Sequence, residues 1–246
     1  MLTAAPVAAE PTLAKAPCGA PTELTRLDLP LPRTARKLAA GDEIKIVAIG
    51  SSSTAGAGAS SPAMSYPSRL AVELQQLLPG HPVVVLNRGI NGEEAREMLA
   101  RLDESVISEK PDLVLWQVGT NAVLRDHPLA PAGALIEQGL ARFKQAGADV
   151  ILIDPQFAPK VIAKADVEGM VKLIAVAAKT ANADVFHRYA VMRHWRETAA
   201  IPFETFISPD ELHMNDWSYG CVAKLLAGSI AEAATRSTVT ATAVAR

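Results

Sequence analysis

The sequence IKIVAIGSSSTAG, residues 44–56, is the stretch that decides the fold. Its first six residues are mostly apolar and β-branched, as in a buried parallel strand, and the run stops at Gly50. A loop of Ser, Gly and Ala follows, and residues 66–78 then show a helical pattern that a Pro-Gly pair closes. A strand, a small-residue loop and a helix in this order predict the first βα unit of a parallel sheet.

The same alternation continues along the chain. Further strands are predicted at residues 83–86, 113–118, 149–153 and 184–186. Helices are predicted at about residues 93–102, 131–146, 160–180 and 216–234. Strands that alternate with helices form parallel sheets covered on both faces. The sequence therefore predicts a three-layer α/β/α sandwich with a five-stranded parallel sheet, a flavodoxin-like arrangement.

The chain has 246 residues, which suits one domain with additional terminal segments. We expect residues 1–42 to form an extended leader, because six prolines interrupt them up to Pro32. Residues 43–235 are then the folded domain, and residues 236–246, rich in Thr and Ala, are a flexible tail.

Cys18 and Cys221, the only two cysteines, bear on localisation. If they pair, the disulfide joins the leader to the last helix and indicates an oxidising compartment, so that the protein is exported to a periplasm or secreted. The alternative is two unrelated free thiols in a cytoplasmic protein. Residues 1–22 leave both open, because they could be the remnant of a signal peptide cleaved near Val7-Ala8-Ala9 or an unstructured leader.

Charge and composition exclude several classes of function. The formal net charge is −2, so no overall field favours nucleic acid or an acidic membrane. No apolar run approaches the roughly 18 residues of a membrane-spanning helix. The chain lacks a Cys/His cluster with metal-ligand spacing, so neither a zinc site nor a cofactor is expected.

Three predicted strands end in residues that carry chemistry. The first ends in the serine-rich segment 50–56, the second in Asn-Arg-Gly-Ile-Asn-Gly at 87–92, and the third in Gly-Thr-Asn at 119–121. If the strand order is 2-1-3, these ends are neighbours at the edge of the sheet where α/β folds bind ligands. A serine, a glycine loop and an asparagine amide would then converge. The segment 50–58 fits no phosphate-binding glycine pattern, and it fails the G-x-S-x-G pattern of α/β-hydrolases.

Such a group of residues suits acyl transfer. A serine hydroxyl needs an adjacent base to become a nucleophile, and the oxyanion of the intermediate needs preorganised donors. The segment Asp-Glu-Leu-His at 210–213, just before the last predicted helix, contains a histidine that could be the base and an aspartate that could orient it. The aspartate can bind the Nδ1–H of the histidine and leave Nε2 free for the serine. Arg125 and His127 follow the asparagine closely and could line the pocket.

These four blocks, in this order between about Ile44 and Ala234, resemble those of the SGNH hydrolases, the GDSL esterase/lipase superfamily. The resemblance implies a catalytic triad of Ser52, Asp210 and His213. It also implies an oxyanion hole formed by the amides of Ser52 and Gly92 and by the side chain of Asn121. The implied activity is metal-independent hydrolysis of carboxylic esters, with short acyl or O-acetyl groups on a small molecule or a glycan.

Two positions depart from the superfamily pattern. Ser51 replaces the aspartate before the nucleophile, so Ser51 or Ser53 could be the nucleophile, although Gly56 sets a register that favours Ser52. Ala122 replaces the aspartate after the asparagine. These departures motivate a second hypothesis, a carbohydrate- or lipid-binding module that has lost turnover. A third, an acyltransferase that acts on a glycan, would use the same residues.

Overall fold

The structure, a computed structural model, describes the chain from residue 17 to residue 244, with side chains as far as Arg236. Its centre is a five-stranded sheet in the order β2-β1-β3-β4-β5, and every pairing is parallel. The strands are β1 (Ile44–Gly50), β2 (Val83–Gly89), β3 (Leu113–Gln117), β4 (Asp149–Ile153) and β5 (Asp184–Phe186). The predicted sheet is confirmed, including the 2-1-3 order that makes the carboxyl ends of these three strands neighbours.

Helices connect and cover the strands. The α-helices of the described residues are α1 (Thr22–Thr25), α2 (Pro32–Ala40), α3 (Ser52–Ala55), α4 (Tyr66–Leu77), α5 (Ala95–Ala100), α6 (Leu102–Ser105), α7 (Thr120–Leu124), α8 (Leu129–Gln145), α9 (Pro159–Ile162), α10 (Val167–Ala181), α11 (Arg188–Arg193), α12 (Phe203–Phe206) and α13 (Asp216–Val244). Two 3₁₀ turns (Pro62–Met64 and Ile107–Glu109) and one π-helical turn (His194–Thr198) complete the set.

The helices form two layers, one on each face of the sheet. Helix α13 packs against α4 and α2, whereas α8 packs against α5 and α10. Strand β3 is buried along its whole length, and its Trp116 meets Phe143 of α8 edge-on, with ring centroids 5.4 Å apart. A Cβ at Gly139 would lie 2.3 Å from the Trp116 ring, so this glycine is what allows α8 to approach the strand. The three-layer arrangement is confirmed.

The second half of the leader differs from the extended segment that we predicted. Residues 32–40 form α2, and Leu27, Leu31 and Leu38 of this region are buried in the core. The prolines do not prevent this, because Pro32 occupies the first turn of α2, where its missing N–H is not needed. The predicted cleavage region near residues 7–9 lies outside the described residues.

Three aspartates at the starts of neighbouring strands hold the leader in place. Asp184 of β5 accepts hydrogen bonds from the backbone amides of residues 28 and 29 (3.0 and 3.1 Å). Asp149 of β4 accepts from the amides of Arg33 (3.2 Å) and Thr34 (2.8 Å), and Asp112 before β3 binds Nε of Arg33 (2.9 Å). Burial raises the pKa of Asp149 and of Asp184, and these hydrogen bonds offset part of the increase. The leader is thus packed against the end of the sheet opposite the strand ends that carry the candidate site.

The C-terminal end also differs. Helix α13 continues to Val244 instead of ending near residue 234, and residues 245–246 of the predicted tail lie outside the described residues. Within residues 17–244, no helix combines the length and the hydropathy needed to cross a bilayer.

Cys18 and Cys221 form the predicted disulfide, with their Cα atoms 5.4 Å apart. The bridge connects the leader to α13 across 203 residues of chain. Beside it, the indole Nε1 of Trp195 donates a hydrogen bond to the carbonyl of Gly19 (2.8 Å). The leader is therefore held covalently as well as by the aspartates.

Removal of this disulfide is expected to lower stability much more than activity. Replacing both cysteines by serine should reduce the free energy of unfolding by about 2–4 kcal/mol, because a long loop is no longer closed in the unfolded chain. Urea unfolding of the double variant and of the oxidised parent measures the difference. An unchanged midpoint would contradict the prediction, and the reduced parent should behave like the variant.

Candidate active site

The serine-rich segment 50–56 begins at the last residue of β1 and turns directly into α3. Ser52 is the first residue of this helix and is partly exposed. A Cβ at Gly50 would lie 2.2 Å from Oγ1 of Thr54, so the turn requires glycine there. Gly56 ends the helix with φ +100°, a left-handed conformation that favours glycine. Glycines at both ends thus hold Ser52 on a tight strand-to-helix turn.

The three consecutive serines have different environments. Ser51 is 2% exposed, and both its amide (2.9 Å) and its hydroxyl (3.0 Å) donate to Oε1 of Gln117. Ser53 is 1% exposed, and its hydroxyl faces Oε1 of Gln156 at 3.5 Å. Only Ser52 presents its hydroxyl to a histidine among the described residues. This geometry favours Ser52 over its two neighbours as the nucleophile.

A histidine and a carboxylate complete a continuous chain of hydrogen bonds with Ser52. The distance from Nε2 of His213 to Oγ of Ser52 is 2.9 Å, and that from Nδ1 of His213 to Oδ2 of Asp210 is 2.5 Å. The loop that carries both residues is closed by an antiparallel bridge between Ile207 and Met214, immediately before α13. The structure therefore brings together the three residues that the first and last blocks predicted.

The second carboxylate oxygen of Asp210 is also saturated with donors. Oδ1 accepts hydrogen bonds from the Ser208 hydroxyl (2.7 Å), the Leu212 amide (3.0 Å) and the His213 amide (2.9 Å). Burial raises the pKa of Asp210, but these donors and the imidazole outweigh burial and hold it well below its ordinary value. An ionised carboxylate only accepts, so Nδ1 of His213 carries a proton and its Nε2 is left to accept from Ser52.

The two predicted oxyanion donors outside α3 belong to neighbouring segments that bind each other. Gly92 has φ +80°, and its carbonyl accepts a hydrogen bond from Nη2 of Arg125 (2.8 Å). Asn121 lies in α7, and its Nδ2 donates to the carbonyl of Glu93 (2.8 Å). This bond uses one of the two Nδ2 protons and leaves the other available. The glycine turn is thus fixed by the helix that carries the asparagine.

Arg125 and His127, which we expected to line the pocket, form one cluster with Glu94. Arg125 and His127 each bind a different carboxylate oxygen of Glu94. Burial raises the pKa of Glu94, but hydrogen bonds from Arg125 and His127 lower it below its ordinary value. His127 and Glu94 also line a cavity of about 240 Å³ beside α7, whereas Arg125 acts on the glycine turn. That either residue lines the substrate pocket stays a prediction.

Several polar residues of this region were not singled out from the sequence. Gln117 and Gln156, at 1% exposure each, and Arg188, fully buried, follow or end the strands β3, β4 and β5. Ser208, which donates to Asp210, lies two residues before the last block, residues 210–213. For Gln117, Gln156 and Arg188, the position at a strand end is the one signal that the sequence carries, and Ser208 lacks even that. No group of three or more potential metal ligands occurs among the described residues.

Curated relatives include two esterases. An acetylxylan esterase from Geobacillus stearothermophilus is 41% identical over 56 residues, which cover 23% of this chain and 26% of the relative. An arylesterase from Vibrio mimicus is 33% identical over 95 residues, which cover 39% of this chain and 46% of the relative. The chain thus matches less than half of the length of either protein.

Solved structures share the fold at low identity. A crystal structure of an acetylxylan esterase from Geobacillus stearothermophilus covers 76% of this chain and 94% of its own, with a TM-score of 0.64 and 22% identity. A two-domain esterase active on acetylated mannans covers 87% of this chain and 56% of its own, with a TM-score of 0.72 and 20% identity. Both support the same α/β architecture.

A profile of the non-GDSL lipase-like family matches residues 17–236. The match includes the second half of the leader, in agreement with its packing on the sheet. It also includes all four blocks that indicated an SGNH-type esterase, and that resemblance is confirmed. Because the match covers most of the chain, the chain belongs to the non-GDSL lipase-like family.

Proposed function

We propose that this protein hydrolyses carboxylic esters, with Ser52 as the nucleophile, His213 as the general base and Asp210 as the residue that orients the imidazole. The observation that carries the proposal is the unbroken chain of hydrogen bonds from Asp210 through His213 to Ser52, at 2.5 and 2.9 Å. Only a serine in contact with an oriented base is activated for attack.

In the first half of the reaction, Nε2 of His213 takes the Oγ proton of Ser52 while Oγ bonds to the ester carbonyl carbon. The carbonyl oxygen becomes an oxyanion, which the amides of Ser52 and Gly92 and the Nδ2–H of Asn121 stabilise. The intermediate then collapses, the bond to the alcohol oxygen breaks, and His213 gives its proton to that oxygen. An acyl-enzyme and a free alcohol result.

In the second half, water replaces the alcohol. His213 takes a proton from the water, whose oxygen bonds to the acyl carbon, and the same donors hold the second oxyanion. Collapse breaks the bond to Oγ of Ser52, which recovers its proton from His213, and the carboxylic acid leaves. Each step uses only these protein groups and water.

We propose O-acetyl groups or other short acyl groups as the substrate class, with a glycan as the alcohol. The names of the relatives, an acetylxylan esterase and an esterase active on acetylated mannans, support this choice. The experiment is a panel of p-nitrophenyl esters of increasing acyl length together with acetylated xylan and mannan oligosaccharides, followed by release of acid. A preference for long acyl chains would overturn the substrate class but not the reaction.

Labelling by a fluorophosphonate distinguishes hydrolysis from a binding module without turnover, because only an activated serine reacts. We expect labelling of the parent protein and a loss of labelling in a Ser52→Ala variant. Transfer to a glycan would appear as acyl glycan among the products when an acceptor sugar is added. Absence of labelling in the parent protein would contradict the proposed reaction.

Asn121→Ala is expected to lower kcat for p-nitrophenyl acetate by about 10²–10³-fold, the usual cost of removing one oxyanion donor. KM should change much less, because the donor acts mainly on the charge that develops in the transition state. Steady-state kinetics measures both constants. Since Asn121 also binds the Glu93 carbonyl, thermal unfolding of the variant serves as the control for loss of structure.

We propose that the protein works in an oxidising compartment, after export. The Cys18–Cys221 disulfide supports this, because such bonds persist mainly outside the cytosol. Lysis of the producing cells directly into a denaturing buffer that contains an alkylating agent, followed by mass measurement of the protein, reports the thiol state. Two alkylated cysteines would contradict export.

A further inference from the structure

A buried side-chain amide lies beneath the candidate site and touches several of its segments. Gln156, three residues after β4, is 1% exposed. Its Oε1 lies 3.0 Å from Nη2 of Arg188, 3.1 Å from the Thr120 hydroxyl and 3.5 Å from the Ser53 hydroxyl. Its Nε2 lies 3.2 Å from the carbonyl of Leu212.

The chemistry of these partners determines the orientation of the amide. A guanidinium only donates, so the atom that faces Arg188 must be the oxygen. A backbone carbonyl only accepts, so the atom that faces Leu212 must be the nitrogen. The same assignment satisfies both ends, and rotating the amide by 180° would disrupt both. Gln156 therefore has one favourable orientation in this network.

Three of these partners are immediate chain neighbours of residues in the proposed site. In the sequence, Ser53 follows Ser52, Thr120 precedes Asn121, and Leu212 precedes His213. One amide thus contacts the segment of the nucleophile, the segment of an oxyanion donor and the segment of the base. These segments are distant in sequence, and the relative position of their functional atoms decides the rate of acyl transfer.

The fourth partner, Arg188, anchors the amide. Its side chain is fully buried, and its Nε donates to the carbonyl of Asp154 at 3.0 Å. Burial lowers the pKa of Arg188, and the nearby charge of Asp154 counteracts this. A charged donor makes a stronger hydrogen bond than a neutral one, so Arg188 fixes the oxygen of Gln156 firmly. Burial of a charge is costly, which is consistent with a role beyond stability.

We infer that Gln156, held by Arg188, is a positioning residue that sets the separation of Ser52, Asn121 and His213. The inference rests on the proposed function, because it concerns the geometry of that reaction. It is independent of the substrate, since Gln156 is too deeply buried to touch one.

Two variants of Gln156 and one control test the inference. Gln156→Met retains the length of the side chain and removes all of its hydrogen bonds. Gln156→Glu keeps an acceptor for Arg188 and Thr120 but turns a second acceptor towards the Leu212 carbonyl. The control is Ser229→Ala in α13, which removes a hydroxyl whose one proton is shared, in a partly buried site, between the carbonyls of Thr25 and Leu225.

For Gln156→Met we expect kcat on p-nitrophenyl acetate to fall by about 10–100-fold per folded molecule, because displacements of about 1 Å can cost 10² in rate. KM should change by less than about twofold. The control should lose thermal stability with kcat unchanged. A kcat of Gln156→Met within twofold of the parent would overturn the inference. If Gln156→Met does not fold, Thr120→Val, with Thr120→Ser as its rescue, carries the same comparison.

The pH dependence of Gln156→Glu provides a readout that a purely structural role would not change. The carboxylate repels the Leu212 carbonyl, whereas the protonated acid can donate to it. The ratio of variant to parent kcat should therefore rise as the pH falls. A ratio that is independent of pH would count against positioning of the His213 loop.

A readout that does not need turnover separates this inference from the proposed function. The Nδ1 proton of His213, held by Asp210, should give a downfield ¹H NMR signal in the parent. We expect this signal to shift or broaden in Gln156→Met and to be unchanged in Ser229→Ala. A parent without esterase activity would refute the proposed function, while the signal still tests Gln156. An unchanged signal in Gln156→Met would refute the positioning role.

Discussion

Replacement of Ser52 by alanine is expected to lower kcat/KM for p-nitrophenyl acetate by about 10⁴–10⁶-fold, the range found when a triad nucleophile is removed. The variant keeps the fold, because Ser52 is partly exposed and its one described side-chain hydrogen bond is to His213. Circular dichroism and the thermal midpoint verify that the structure is retained. Kinetics with an active-site titration of the parent measures the effect.

The neighbouring serines are matched controls for this experiment. Ser51→Ala and Ser53→Ala each remove a buried hydroxyl, at a cost of about 1 kcal/mol in stability. We expect each to retain at least about a tenth of the parent kcat, because neither hydroxyl faces a base. An inactive Ser53→Ala beside an active Ser52→Ala would move the nucleophile by one residue and contradict the proposed site.

The sequence predicted those features that depend on local patterns. Runs of β-branched residues such as 149–153 locate the strands, because a strand buried on both faces must be apolar throughout. The order of the four blocks predicted which residues would come together in the candidate site, because the carboxyl ends of adjacent parallel strands meet at one edge. Both arguments use only short segments and one topological rule.

Other features could not be predicted, because they depend on contacts between distant residues. No sequence motif includes the buried polar residues Gln117, Gln156 and Arg188. Only the fold shows which groups their side chains bind. The leader was misread for a related reason. Its helix α2 is stabilised by aspartates more than 70 residues away, such as Asp149, and its composition contains no sign of them.

The two departures from the superfamily pattern have a structural explanation. Ser51 donates twice to the oxygen of Gln117 in a site that is 2% exposed, where an aspartate would place a carboxylate beside another acceptor. Ala122 is 4% exposed, so a carboxylate there would also have to be buried. Neither replacement removes a contact of Ser52 or His213, which favours turnover over a binding module.

Asp210→Asn is expected to reduce kcat by about 10⁴-fold, although the side chain barely changes in size. Oδ1 accepts three hydrogen bonds, so an asparagine will keep its oxygen there and place its NH₂ group where Oδ2 faces Nδ1 of His213. Two donors cannot pair, so the imidazole must move its proton to Nε2. In that tautomer Nε2 cannot accept the proton of Ser52.

Measurement of kcat and of the downfield His213 proton tests this argument, since both should be lost while the thermal midpoint changes little. Ser208→Ala is the matched control, because it removes one donor from the same carboxylate and leaves the charge. It should raise the pKa of Asp210 towards its ordinary value and retain activity within about tenfold. Because the pKa of Asp210 is held so low, its carboxylate stays ionised through the mildly acidic range. Protonation of this carboxylate should therefore contribute nothing to a loss of activity in that range. Asp210→Asn activity above a tenth of the parent would show that the carboxylate does not set the tautomer of His213.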